Sequence, residues 1–448
     1  MIIPHKLENL ISQNPDLVGY VTEQINSFIP WIEASGTPFF TNYTDHGIHH
    51  LSRVLNLCEW LIDQESWKTL NPEDGACLIF SVLLHDLAMH MTPDSFRELI
   101  SNNDGILISH FDQKPWILLW SEYLDEIQNW EDSTWINNTG ESLSDDQTGW
   151  KSIDINNLKE ADLPLIGEFI RRHHIRLAHE FTITGVPTSS SEQLKYRKTE
   201  KFQEIVEISG LVARSHGLSL RDTYNYLDDV FFGRVQVFST HPVFLMSILR
   251  VADYLDLQAE RAPHDLLKVK TILSPFSRGE WAAHQAIREI RYNVDADPEK
   301  IEIIAKPQNA FSYQRIIGWI NGIQKELDHS WSVLGETYGR FKEYSSLKIR
   351  IRRISSPIQD KEFSKKQDLD FIPTPVRLDV DASKLINVLI EPLYGNAPEV
   401  AVREMLQNSI DAVKELDCIT PLDKESIPLI LRKYDCDILV TICKSEDG

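Results

Sequence analysis

The chain is poor in cysteine, in positive charge and in long apolar runs. Its five cysteines (Cys58, Cys77, Cys418, Cys436 and Cys443) form no CxxC pair and are odd in number. That argues against a disulfide framework or a structural zinc cluster, and a reduced cytoplasmic protein is expected. A membrane span needs about 20 consecutive apolar residues. The longest apolar stretches, such as the one ending at Leu84, are shorter and bordered by charge, so no membrane contact is expected. The N-terminus MIIPHKLENL lacks the basic-then-apolar pattern of a secretory signal. Lys and Arg number 45 against 67 Asp and Glu, a net charge of −22, which excludes a surface that coats nucleic acid or anionic membrane. A small cationic or metal-lined phosphate pocket remains compatible with that balance.

What is present is helical patterning and a surplus of histidine, 15 in all. At 448 residues, 42% hydrophobic and 25% charged, the chain is globular and long enough for two or three domains. Leu51, Val54, Leu55, Cys58, Leu61 and Ile62 recur at spacings of three and four, predicting an amphipathic helix from Ile48 to about Asp63. A second helix, apolar nearly all round and therefore central, is expected from about Glu73 to His90. Further helices are expected over 163–181, 202–215 and 242–257. Residues 121–162 carry eleven acids against Lys151 and Lys159, and read as an acidic surface insertion. Beyond Ala286 the pattern mixes strands (287–294, 301–306, 347–354) with a helix over 313–338. A Lys- and Pro-containing linker (355–375) precedes a third segment. The expected domains are 1–285, 286–375 and 376–448.

His85-Asp86 falls within the central helix, where an unpaired acid and imidazole would be costly to desolvate. An isolated His-Asp dipeptide is more often a core hydrogen bond. Here the preceding helix offers His50, with His46 one turn before it, and the helix 242–257 offers Asp253. Imidazole and carboxylate together suit a hard or borderline divalent metal. The order H…HD…D, within H-x-x-R-V and L-R-x-A-D, resembles the HD superfamily of metal-dependent phosphohydrolases. The motifs span residues 46–256, somewhat under half the chain.

That resemblance implies a mainly α helical bundle with His50, His85, Asp86 and Asp253 as metal ligands. It also implies two divalent ions, with Mn, Fe, Mg and Zn not distinguished. Members with more than one metal carry extra histidines between the HD pair and the last Asp. Here His174 and His216 are the preferred second-metal ligands, with His173 as the alternate. His46 stands where the HD-GYP branch can carry a glutamate ligand, and could bind metal or phosphate; the GYP signature is absent. A divalent pair lowers the pKa of a water and polarises phosphoryl oxygens, and Asp86 could orient that water for attack. Arg53, Arg172 and Arg214 are candidate phosphate clamps or helix-surface arginines. His90, His179 and His264 are expected to be structural or exposed. The expected substrate is a phosphate ester or anhydride of a nucleotide or nucleic acid.

A second motif lies at 393–412. Pro398 opens a helix with Val402, Met405, Leu406 and Ile410 on one face, and Glu404, Asn408 and Asp411 on another. The run L-Y-G-N-A-P-E-V-A-V-R-E-M-L-Q-N-S-I-D-A closely resembles the N-box of GHKL ATPases of the heat-shock protein 90 branch. It implies an α/β ATP–Mg²⁺ domain with Glu404 as catalytic acid, Asn408 as Mg²⁺ ligand and Asp411 lining the pocket. The chain stops at Ser445-Glu446-Asp447-Gly448, before or barely at the D-x-G-x-G segment that reads adenine. The expectation is part of a longer protein, with a truncated ATPase segment that binds ATP poorly as it stands. The combination resembles multidomain bacterial proteins of phage defence. The alternative is a chaperone-like switch whose HD module senses nucleotide without hydrolysing it. A protein partner or self-association stays open.

Overall fold

The computed structural model describes residues 2–101, 106–108, 110–139, 153–188, 194–196, 199, 201–262, 272, 274–292, 297–360, 371, 398–419, 438 and 440. His264, residues 140–152, most of the linker, the turn 393–397, the strand pair around 428–431 and 438–443 (438 and 440 apart) and the C-terminus lie outside them. The chain divides into two compact units, Met1–Pro373 and Thr374–Gly448.

The first unit is mostly helical. Helices α1 (His5–Ile11) and α2 (Pro15–Ser35) flank α3 (Ile48–Leu61) and α4 (Pro72–Leu84). The start of α4 is fixed locally. Pro72 supplies the helical φ, the Asn71 side chain accepts from the Asp74 amide at 2.9 Å, and Asp74 accepts back from the Asn71 amide at 3.2 Å. Buried Asp74 also accepts from the backbone amide of His241 at 2.7 Å and lies 2.8 Å from its Nδ1. One carboxylate thus ties the start of α4 to the start of α11 (Pro242–Leu255).

The α-helix of α4 ends at Leu84, before the HD pair rather than beyond it. The His85 imidazole Nδ1 bonds the Val82 carbonyl at 2.8 Å, competing for the acceptor that another turn would use. Asp86 then adopts φ −110°, ψ 9°, and Leu87–His90 continue as a 3₁₀ turn. This break lifts the acid off the helix register.

Helices α5 (Pro93–Ser101), α6 (Trp116–Gln128) and α7 (Asp132–Thr139) follow. Over residues 121–139 the segment expected as an acidic surface insertion is therefore helical. Its acids cover the outside, while Tyr123, Ile127 and Trp135 are buried. Trp120 meets Phe96 and Phe169 at ring distances of 5.1 Å. Counting acids obscured this aromatic stripe. Next come α8 (Leu163–Thr184), α9 (Gln203–Ser215) and α10 (Leu220–Phe231). Gly167 permits close packing of α8, since a Cβ there would stand 2.4 Å from the Phe39 carbonyl oxygen.

After α12 (Pro275–Ala286) the chain forms β1 (Ile287–Arg291), β2 (Lys300–Ala305), α13 (Ala310–Thr337) and β3 (Arg353–Ser355). The strands form one sheet in the order β1-β2-β3, antiparallel then parallel, with Ile290 opposite Ile303 and Ile301 opposite Ile354. The alternation over 347–354 appears as burial: Leu347, Ile349 and Ile351 point inward. Regular pairing is confined to β3, apart from a bridge between Ile349 and Ile62. Residues 286–360 share the helical core and are not a separate connector. Arg250 of α11 fixes α13 through Glu326, with Nε–Oε1 at 2.5 Å and Nη2–Oε2 at 2.9 Å. Among the described residues no helix is long and apolar enough to cross a membrane.

In the second unit, α14 (Pro398–Ile419) is the described helix. Its Val402, Met405 and Ile410 are exposed, as are Asn408 and Asp411, and Glu404 is half-buried.

Candidate metal centre

Four histidines meet between the start of α3, the end of α4, the middle of α8 and the end of α9. Gly47 ends the approach to α3, its amide donating to Asp45 Oδ1 at 2.9 Å, and the first turn places His50 in the interior. His50 Nδ1 lies 2.7 Å from Asp256 Oδ2, and His85 Nδ1 lies 2.8 Å from the Val82 oxygen. Nδ1 of each ring therefore carries the proton that donates to its acceptor, which directs both Nε2 atoms inward. These Nε2 atoms are 3.3 Å apart. Asp253 Oδ1 lies 3.7 Å from the first and 3.8 Å from the second.

The second pair repeats the device. His174 Nδ1 donates to the Arg171 carbonyl at 2.6 Å and His216 Nδ1 to the Ala213 carbonyl at 2.5 Å. Their Nε2 atoms face each other at 2.8 Å. Burial, and for His216 the neighbouring imidazoles, pull both down, His216 to about 3, so both rings are neutral. Two lone pairs held this close repel, and a cation between them removes the conflict.

Asp86 stands between the pairs. Its Oδ2 is 3.4 Å from His50 Nε2 and 3.3 Å from His85 Nε2, while its Oδ1 is 4.0 Å from His174 Nε2. Two ligand groups result, His50–His85–Asp253 and Asp86–His174–His216, each with its ligand atoms within 4.8 Å of one another. Imidazole nitrogens and carboxylate oxygens at this spacing fit divalent metals that coordinate at about 2.0–2.2 Å. Electrostatics agree. Burial pulls His85 down, but Asp86 and Asp253 outweigh it and push the imidazole up to about 9. Burial likewise raises Asp86, and the facing His85 and His50 hold it well below the usual carboxylate range. The carboxylates demand a cation, and a proton on His85 supplies it wherever a metal does not.

Not every residue singled out in the sequence reaches this cluster. His173, one residue from His174, turns to Phe169 and Trp116 at ring distances of 4.8 and 5.6 Å. Arg172 pairs with Glu168 and Glu126, and buried Arg214 with Asp112 at 2.9 and 2.6 Å, so neither offers a free fork to phosphate. Arg53 Nε donates to Asp256 Oδ1 at 2.8 Å and Nη2 to Asp45 at 3.3 Å. Its role here is to hold the acid that orients His50. His46 Nδ1 lies 3.9 Å from Asp86 Oδ2 but accepts from Arg261 at 3.0 Å, which occupies the lone pair a metal would need. His90 is buried between the carbonyls of Gly36 and His46, and His179 is buried as well. Glu404 and Asn408 lie one turn apart on α14, and Asp411 accepts from Gln407 Nε2 at 3.0 Å.

Asp256 is the candidate positioning residue that sequence reasoning missed. It is fully buried, and although burial pushes its pKa up, the bonds from His50 and Arg53 and the charge of Arg261 depress it well below normal. The signal was present: Asp256 follows Asp253 by one turn in L-R-V-A-D-Y-L-D.

A helical domain whose short first ligand motif, HD pair and late Asp converge on one buried cluster is an HD-type domain with a candidate metal centre. Residues 40–329, well over half the chain, match the HD-CE family model, and the chain belongs to the HD-CE family. Neither the curated proteins nor the solved structures give a match.

Proposed function

We propose that the chain is a metal-dependent phosphohydrolase that cleaves a phosphate ester or anhydride of a nucleotide or nucleic acid. The observation that carries this reading is the Asp86 carboxylate, with one oxygen toward His50 and His85 and the other toward His174. A bound divalent pair supplies an acidified water and polarised phosphoryl oxygens. The chain's own part is orientation. Asp256 and the Val82 carbonyl fix the tautomers of His50 and His85, the Arg171 and Ala213 carbonyls fix those of His174 and His216, and Asp86 accepts a hydrogen bond from the attacking water. Glu404 and Asn408, one turn apart on α14, support the further proposal of an ATP–Mg²⁺ site in the second unit, coupled to the first; ATP turnover by a chain that carries the whole ATPase segment, with and without Glu404→Ala, tests it. Buried free thiols at Cys58 and Cys77 suit a reduced, cytoplasmic setting.

The test is metal content after Mn²⁺ or Fe²⁺ loading, followed by hydrolysis of a nucleotide, DNA and RNA panel by wild type and His85→Ala/Asp86→Ala. Cleavage lost in the double variant is the expected result. A wild type that holds no metal overturns the reading. Bound metal with every phosphoester left intact favours the sensor alternative.

A further inference from the structure

A cavity of about 790 Å³ lies beside the metal centre and is not used by any of its ligands. It adjoins the centre through His46, which lines it and stands 3.9 Å from Asp86 Oδ2. Arg53, which holds Asp256, lines it too. Its size is that of a pocket for one small organic molecule. Its walls are aromatic and aliphatic, with Tyr43, Trp281, Ile32 and Ile48 contributing.

The charge of the lining is opposite to what a polyphosphate or a nucleic-acid backbone requires. Glu33, Asp45 and Glu260 line it, against the single guanidinium of Arg53. That guanidinium is already engaged by Asp256 and Asp45. The Gly47 amide and Arg53 take both oxygens of Asp45, which leaves Glu33 and Glu260 as the acids for a ligand. Arg261, beside the lining residue His46, donates to His46 Nδ1 and to the Asp256 carbonyl. Carboxylates are acceptors only, so what they select is a ligand edge rich in N–H donors. A flat group with an exocyclic amine meets both the apolar walls and the acids.

Resting on the phosphohydrolase reading above, we propose that this cavity holds the organic part of the substrate. It selects a nucleobase bearing an exocyclic amino group, presented on a single nucleotide rather than within a strand. The phosphate is then left on the His46 side, next to Asp86.

Nucleosides test this without phosphate, metal or catalysis. The 448-residue chain, stripped with chelator, is titrated with adenosine, inosine, cytidine and uridine by ligand-observed NMR. Adenosine and cytidine should bind about tenfold more tightly than inosine and uridine, the discrimination one charge-assisted hydrogen bond gives. Glu33→Gln/Glu260→Gln, at two exposed positions, should keep the melting temperature and shrink the preference to within about threefold. Equal binding of all four nucleosides overturns the proposal, as does a preference unchanged in the double variant. So does faster cleavage of oligonucleotides than of mononucleotides. The underlying reading is tested apart from it with bis(p-nitrophenyl) phosphate and Mn²⁺, which carry no base. Cleavage there without nucleoside preference overturns the cavity assignment alone. Nucleoside preference with no phosphoester cleaved supports the cavity as a nucleoside site and overturns the hydrolase reading.

Discussion

Replacing Asp256 by Asn removes one charge at nearly constant volume and probes the metal centre without touching a ligand. Three groups depend on this carboxylate: His50 Nδ1 at 2.7 Å, Arg53 Nε at 2.8 Å and Arg261 Nε at 3.8 Å. An amide can accept with one side only, so His50 loses either its charged acceptor or its fixed tautomer. Loss of such an outer partner lowers metal affinity by about 10- to 100-fold. Arg53 and Arg261 are also left with less countercharge in a mostly buried setting, which in the metal-free protein costs roughly 2–4 kcal/mol, toward the lower end for breaking a buried pair. Two measurements read these effects separately: calorimetric titration with Mn²⁺, and urea unfolding in excess chelator. Asp74→Asn is the control, because it breaks a buried capping contact on α4 and α11 away from the ligands. It should lower stability and leave Mn²⁺ affinity within about threefold. A folded Asp256→Asn protein with wild-type Mn²⁺ affinity refutes the assignment of Asp256 as the residue that orients His50.

His174→Gln and His216→Gln should each lower bound metal by one ion per chain, read by elemental analysis after Mn²⁺ loading, while His173→Gln leaves the content unchanged. Equal loss in all three variants removes the distinction between His173 and His174. Glu326→Leu strands the Arg250 guanidinium between α11 and α13, and should cost about 3–5 kcal/mol in urea unfolding; a cost below 1 kcal/mol contradicts the pairing. Acid should destabilise the fold through buried neutral histidines. Burial, helped by Arg214 and Arg261 respectively, pulls His179 and His284 down to about 3. The unfolded chain then binds protons that the folded one refuses, so this stability is complete above pH 6.5 and is lost as pH falls from there toward 3. At pH 5 the loss is about 2 kcal/mol per histidine. An unchanged urea midpoint between pH 7 and pH 5 contradicts it.

The sequence by itself determined several helices of the first unit and the centre of the candidate ligand set. Spacings of three and four marked α3, α8, α9, α11 and α13 to within a few residues, because burying one stripe of a helix imposes that period on the chain. His50, His85, Asp86 and Asp253 were legible because they stand in short motifs at fixed positions. Tertiary structure decided what lies between neighbouring residues. His173 and His174 differ by one position, yet about 100° of helix rotation separates them, and only the packing of α8 on α9 shows which faces Asp86. The packing of α6 and α7 turned an apparently acidic segment into an aromatic layer. Arg172 and Arg214 read equally as phosphate clamps or as helix-surface arginines; packing pairs the first with Glu168 and with Glu126 of α6, and the second with Asp112 in the loop before α6. Asp256 reaches His50 only because the end of α11 meets α3. Periodicity records which side of an element is buried, whereas a metal centre depends on which atoms of four elements meet, and contacts between residues some 200 positions apart leave no period in the sequence.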